Sequence, residues 1–410
     1  MVVELKPIAE QPSSEAVAWA LRDRTDLTWL DDPSGHDILV WGASDEICPG
    51  PEFAQHARLL LRDEPPIAGL PFCGGLVGFL GYEAGRWLER MPEPEPRLLP
   101  ELVLRRYDGA LIRRPAGDWV ATGSTEFVDE AVHIVRSATA PPPTPMPRAR
   151  ELPLEKRPFL RAVEQALVAI GRGDYYQVNL SRRLEFTGVD APLQVYRRLR
   201  RAEARYGAFV SVPGGALLSN SPELFLEVRD GRVCSRPIKG TRPLGQAHAL
   251  ETDPKERAEL TMIVDLVRND LGRVCSPGSI RTQDRTVYAL PTLLHAEQAV
   301  HGELARGRDA LDLLAATFPP GSVTGAPKVM AMHAIAELEP VPRGAYTGCV
   351  GYFADGGDAC LSVAIRTATV LGGRAWAHVG CGIVADSLPE RELSESEVKA
   401  TALRRALVGL

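Results

Sequence analysis

The sequence predicts an α+β fold with antiparallel sheets, and three observations carry that expectation. Two-residue turn signals join strand-like runs: Asp230-Gly231 lies between Leu224–Arg229 and Arg232–Arg236, and Gly372-Gly373 lies between Val363–Leu371 and Arg374–Gly380. Tight turns of this kind need φ > 0 at their central residues, which Gly and Asp tolerate, and they close antiparallel hairpins. Helical and strand-like runs then mix without the regular alternation that a parallel sheet of βαβ units writes into a sequence. Finally, five prolines fall within residues 141–147. No helix or central strand survives that density, so residues 139–150 read as an extended linker between a unit of residues 1–138 and a unit of residues 151–410.

Bulk properties narrow the function classes. At 410 residues the chain can bury a substantial core, and its net charge of −6 comes from interspersed signs with no basic stretch. A nucleic-acid groove is therefore not expected, and an anionic substrate would have to meet local cations. No apolar run approaches the ~20 residues that span a bilayer. The N-terminal run Met1–Pro7 lacks the basic-then-apolar pattern of a signal peptide. The seven cysteines are scattered with no Cys-x-x-Cys, and the eight histidines lack zinc spacing. Reduced thiols in a cytoplasm are expected, and any metal should be bound through oxygen.

Taken in order, the first unit holds strand-like runs such as Asp37–Trp41 and the glycine-rich Gly74–Tyr82. The latter is not Gly-x-Gly-x-x-Gly, so it reads as close backbone packing and not as a dinucleotide site. The second unit opens with an amphipathic helix near Pro158–Arg172. Its first hairpin, counted back from Asp230-Gly231, sets Glu223 opposite Ile238 and next to Lys239. Pro222 and Pro237 interrupt that ladder, so proximity is expected and not a shared face. The next helix covers 253–271, with Asp253 as N-cap, Pro254 in the first turn and Glu256 completing a capping box. Leu260, Ile263, Val264, Val267 and Leu271 form its apolar stripe, and Gly272 is its stop.

Four glutamates stand out on two helices. Glu256 and Glu259 are neighbours at i,i+3, and Glu392 and Glu395 repeat the arrangement on a helix opened by Pro389, followed by Lys399. Each pair alone reads equally as a solvated acidic first turn. Facing each other, the four carboxylates would repel unless a cation intervened, and Mg²⁺ suits an all-oxygen set. Gly321–Lys328 feeds a helix and reads as a carboxylate-binding or structural turn. It lacks the Gly-Lys-Ser/Thr ending of a nucleotide loop. In the second hairpin, ideal register sets Arg366 opposite Val379, beside Gly380. With the bare amides of Gly380-Cys381-Gly382 it would make a carboxylate clamp, or else an ordinary exposed strand arginine. Lys239, bracketed by Pro237 and Gly240, is an amine nucleophile if its pKa falls from about 10.4. Glu223 beside it is either an acid or a structural ion-pair partner.

These residues lie in a recognisable series. Gly173–Ser181, Ser221–Phe225, Pro237–Arg242, Ala258–Leu271, Gly325–Lys328, Gly348–Tyr352 and Ala364–Thr367 occur in this order. The series resembles the chorismate-utilising enzymes over essentially all of 155–407, and residues 1–138 are similar to the N-terminal region of the anthranilate synthase component I type. Within that family the resemblance is to the aminodeoxychorismate synthase branch. Anthranilate synthases typically have alanine at the position of Lys239, and they differ around Gln177–Leu180, where this chain carries Asn179.

The resemblance implies antiparallel sheets packed as a sandwich with helices outside and a site at the sheet core. It implies that Lys239 adds to the chorismate ring and that Glu223 is the general acid. It implies Glu259 and Glu395 as magnesium ligands, with Glu256 and Glu392 holding metal-bound water. Tyr346, Arg366, Gly380 and Gly382 match contacts to the substrate carboxylates; Thr324, His295 and Lys399 line the same pocket. The partner it implies is a glutamine amidotransferase subunit that supplies ammonia. The competing readings are anthranilate synthase, isochorismate or salicylate synthase, and a non-catalytic chorismate-binding regulatory protein. Lys239 argues against the first, and the full set of metal and clamp residues against the last.

Overall fold

The computed structural model of the protein describes residues 4–89, 91, 99–202, 205–245, 247–289 and 293–409. Among them run a 12-stranded sheet, a 9-stranded sheet and a 3-stranded sheet, with helices on the outside. Paired strands are antiparallel, as the turn signals require. The larger sheet runs from Glu4–Ile8 through Trp119–Gly123, Ala110–Arg113, Asp37–Val40 and Thr28–Asp31. It continues through Tyr206–Val212, Gly215–Ser221, Thr367–Leu371, Arg374–Ile383 and Gln177–Thr187 to Gly325–Ala326. The second centres on Leu224–Arg229, Ala359–Val363, Cys349–Ala354, Gly75–Leu80 and Leu102–Tyr107.

Strand alternation builds the layers. Ile38 and Val40 point into a core shared with Val77, Phe79, Val350 and Tyr352 of the other sheet. Leu39 and Trp41 point the other way, under the helices Ser14–Ala20 and Thr125–Ser137. On the second sheet Leu76 and Leu80 face outward onto a core with Leu260, Ile263, Val264 and Leu271. The expected stripe of the Pro254–Gly272 helix is therefore the buried one. Strands Asp37–Val40 and Gly75–Leu80 are buried along their whole length because both of their faces are covered. No helix among the described residues is long and apolar enough to cross a membrane.

Local expectations hold at the turns. Asp230 and Gly231 have φ of 48° and 72°, and Gly372 and Gly373 have 54° and 76°. Arg229 pairs with Arg232, and Leu371 with Arg374. The Arg157–Arg172 helix stops at Gly173 with φ 84°. Asp253 accepts from the Glu256 N–H at 3.4 Å. Gly272 closes the helix as its last residue and not just beyond it. In the glycine-rich run, a Cβ on Gly78 would lie 1.8 Å from the Val103 carbonyl oxygen, which bears out the close-packing reading.

The proline-rich segment has neither helix nor strand until Arg150–Glu151. It is pinned to the Pro192–Arg200 helix, where Arg197 donates to the Pro142 carbonyl at 3.0 Å and Arg198 to that of Pro145 at 3.2 Å. Strands from either side of it are neighbours in both large sheets. Phe209 pairs with Trp29, and Gly351 with Gly78.

Candidate active site

Lys239 lies on Ile238–Pro243, a strand of the 3-stranded sheet that also contains Thr286–Ala289 and Leu293–Glu297. The ladder slips between Lys239 and Thr241, and Gly240 there takes φ 73°. A Cβ on Gly240 would lie 2.5 Å from Leu250 Cδ1 and 2.7 Å from Glu256 Oε2, so this strand lies close against the Pro254–Gly272 helix, and the positive φ favours glycine. Lys239 is partly buried. Burial lowers the pKa of its ammonium; the Glu259 carboxylate opposes this, the Lys399 charge reinforces it, and Glu223 and Glu395 oppose it. Four charges, from two helices and the link before Leu224–Arg229, thus converge on this one amine.

Glu223 is 3% exposed and accepts a hydrogen bond from Ser322 Oγ at 2.5 Å. Burial pushes its carboxyl up to about 7, against the pull of Ser322, Lys239 and the Ile238 N–H. Much of the Glu223 population is therefore neutral near pH 7 and able to donate a proton. The ideal register is not kept: a bulge between Leu224 and Glu227 sets Leu224 opposite Arg236. The expected proximity to Ile238 and Lys239 survives it.

The acidic set comes from the two helices. Glu395 Oε1 accepts from Lys399 Nζ at 2.7 Å, and Lys399 also donates to the Gly380 carbonyl at 2.9 Å. Cys381, Glu392 and Glu395 offer ligand atoms that all lie within 4.8 Å of one another. The Cys381 thiol is pushed up to about 12 by burial, and it donates to the Glu392 carbonyl at 3.3 Å. A neutral thiol is no ligand for a hard cation, which leaves carboxylates as donors. From the facing helix, Glu256 abuts Gly240 and Glu259 acts on Lys239. This oxygen-rich set fits Mg²⁺, and the Glu395 side chain is 54% exposed, which leaves a way in.

Gly382 sits opposite Asn179 and Gly380 opposite Ser181. A Cβ on Gly382 would lie 3.4 Å from Lys239 Nζ, so that amine rests against bare backbone. Tyr346 is buried, stacks on His378 with ring centroids 5.4 Å apart, and feels the Lys399 charge. His295 is held neutral, pushed down to about 3 by burial and by Arg366.

Arg366 departs from the expected register. The hairpin ladder ends at Ala368 opposite Ala377, and Arg366 takes φ 51° and leaves its hairpin partner. It stays bonded to the neighbouring strand on its other side, where the Asn220 N–H donates to the Arg366 carbonyl and Thr367 Oγ1 bonds Ser219 Oγ at 2.8 Å. Arg366 is not opposite Val379; its Nη2 instead lies 3.0 Å from His295 Nε2. Thr324 is fully buried, and its hydroxyl donates to the Pro320 carbonyl at 2.8 Å. Lys328 turns away into an ion pair with Asp270 at 2.5 Å, so it is Ser322 of this turn that faces Glu223.

Sequence reasoning did not assign a role to Gln177. Its carboxamide is fully buried, and neither polar atom has a hydrogen-bond partner among the described residues. Its Nε2 would lie 2.7 Å from a Cβ on Gly382, beside Lys239. The signal was available: Gln177 and Asn179 alternate with Val178 and Leu180, which join an apolar core on the other face. Two amides on one face of a strand covered on both sides mark a polar chamber.

Residues 31–405 match the family model described as chorismate binding enzyme. The chain is 38% identical over 356 residues to the aminodeoxychorismate synthase component 1 of Salmonella typhimurium, covering 83% of this chain and 78% of the relative. It is also 38% identical over 389 residues to the anthranilate synthase component 1 of Streptomyces coelicolor, covering 85% and 76%. The crystal structure of anthranilate synthase component I from Streptococcus pneumoniae superposes with a TM-score of 0.82 at 28% identity, over 90% of this chain and 92% of that one. With the family model spanning nearly its whole length and relatives of this identity, the chain belongs to the chorismate binding enzymes.

Proposed function

We propose that this chain aminates chorismate at C4 as the large component of a cytoplasmic aminodeoxychorismate synthase, of the transaminase type. Relatives of the aminodeoxychorismate and anthranilate types are equally similar to it at 38%, so the reading rests on one observation. Lys239, with its pKa lowered by burial, lies within the electrostatic reach of Glu223, whose carboxyl is raised to about 7. An amine that is neutral part of the time beside an acid that is protonated part of the time is what a nucleophile and a general acid require.

The steps follow from that pair. The Lys239 nitrogen adds at C2, the two ring double bonds shift, and the C4–O bond breaks as Glu223 gives its proton to the departing oxygen, which leaves as water. Ammonia then adds at C4, the double bonds shift back, and the Lys239 nitrogen leaves. The product carries a C4 ammonium group, and Glu223 is left ionised. Glu259 and Glu395, with Glu256 and Glu392 behind them through water, would hold Mg²⁺, which neutralises the ring carboxylate. Tyr346, Arg366, Gly380 and Gly382, with Thr324, His295 and Lys399 around them, would fix the substrate carboxylates. Ammonia would come from a separate glutamine amidotransferase subunit, and the product would serve 4-aminobenzoate and folate synthesis or a specialised pathway.

Incubation with chorismate, magnesium and ammonium, followed by mass and ultraviolet analysis of the product, tests the reading. 4-Amino-4-deoxychorismate is expected. Anthranilate as the main product, or pyruvate release without added lyase, contradicts it.

A further inference from the structure

The proposed reaction leaves Glu223 ionised at the end of every turnover, and the fold offers it a second face. With substrate against Lys239, the front of this carboxyl is covered. Behind it is a small cavity lined by Glu223, Ser235, Asp270, Thr317 and Ser322, among others, with ≈ 10 Å³ of space for water centres. That is room for about one water, whose partners would be these polar groups in an otherwise apolar lining that includes Phe225, Val267 and Leu271. Ser322, itself 6% exposed, donates to Glu223 Oε1 from this side. A hydroxyl in that position passes on its proton and accepts another from the oxygen next to it.

Asp270 lies at the outer end. It is 5% exposed and accepts from Lys328 Nζ at 2.5 Å, while Lys328 also donates to the Thr317 carbonyl at 2.5 Å. Burial raises the Asp270 carboxyl against the pull of Lys328, and the exposed Arg273 acts on it from the solvent side. The resting pair thus links the cavity to the surface through a buried carboxyl whose proton affinity burial raises.

We infer that a water in this cavity, held between Ser322 and Asp270, returns a proton to Glu223 once per turnover. Ser322 and Asp270 are positioning residues in this scheme, acting through Glu223. The proton moves from solvent through Asp270 and the water to Ser322, whose own proton reloads Glu223. The inference rests on the proposed amination, in which each turnover consumes the Glu223 proton.

The test separates the first turnover from the later ones. Without ammonia, formation of the lysine adduct uses the proton that Glu223 already carries, whereas steady-state turnover with ammonium needs it replaced. Ser235→Val fills the cavity from a residue outside the proposed chemistry. Its adduct should form at the wild-type rate, while kcat falls roughly tenfold or more, a typical worth of a placed proton donor. The solvent deuterium isotope effect on kcat should rise. Asp270→Asn and Ser322→Ala should lower kcat more than the adduct rate, and Ser322→Thr, which keeps the hydroxyl, should restore turnover. Unchanged kcat and isotope effect in Ser235→Val and Ser322→Ala would mean that the product ammonium reloads Glu223 directly, and would overturn the relay. Equal losses of adduct rate and kcat would overturn it too, leaving the cavity as packing alone. Wild-type protein that forms neither adduct nor amine product would remove the amination reading itself, and the relay with it.

Discussion

At the scale of single residues, burial pushes an amine and a carboxyl in opposite directions along the pH axis. Lys239 loses proton affinity and Glu223 gains it, mainly through desolvation in each case. The chemistry needs the amine neutral and the acid protonated. Raising the pH through the lysine pKa helps, and raising it through about 7 ionises Glu223 and hurts. The pH profile of kcat/KM should therefore be bell-shaped with an alkaline limb that belongs to Glu223. Glu223→Gln should lower kcat by about 10²–10⁴ and remove that limb. An alkaline limb that persists in the variant would assign it to another group. Both residues were legible because a proline and a glycine bracket Lys239 and a turn signal fixes the hairpin. Two features escaped. A non-glycine residue at positive φ, Arg366, carries no sequence mark, and its departure broke the counted register. The alignment of Ser322 with Glu223 depends on residues 99 apart and is invisible locally.

At the scale of elements, two helices each bring an i,i+3 pair of glutamates to one strand. In an isolated helix such a pair is unfavourable by a few tenths of a kcal/mol. Here the Lys239 and Lys399 ammoniums lie among the carboxylates, and the proposed metal completes the balance. Glu259→Gln and Glu395→Gln should abolish magnesium-dependent chorismate binding in calorimetric titration while the unfolding transition stays in place. Glu256→Gln and Glu392→Gln should weaken binding by about 10–100-fold, the usual penalty when a group acts through bound water. Indistinguishable binding in all four variants would reduce these glutamates to acidic helix faces. The helices and their apolar stripes were readable from period and caps, since those are local signals. The convergence of their glutamates on Lys239 was not, because it joins residues far apart in the chain.

At the scale of the whole molecule, the proline run marks a covalent linker, but composition says nothing about which sheet the flanking strands join. Strand neighbours are set by long-range pairing, and here Tyr206–Val212 sits beside Thr28–Asp31, and Cys349–Ala354 beside Gly75–Leu80. A fragment of residues 151–410 would expose both inner edges and the core between the sheets. It should aggregate or show no cooperative transition, while the full chain melts in one step by calorimetry. A soluble 151–410 fragment that unfolds cooperatively and binds chorismate would contradict this coupling.

The central claim is the covalent role of Lys239, and intact-protein mass spectrometry tests it most directly. Wild-type protein given chorismate and magnesium without ammonia should gain the mass of chorismate less one water. Peptide mapping should place the adduct on Lys239 without borohydride, because a secondary amine needs no reduction. Lys239→Ala should lose both the adduct and most 4-amino-4-deoxychorismate formation. An unmodified wild-type lysine, together with a Lys239→Ala variant that makes the same product at a comparable rate, would contradict the account.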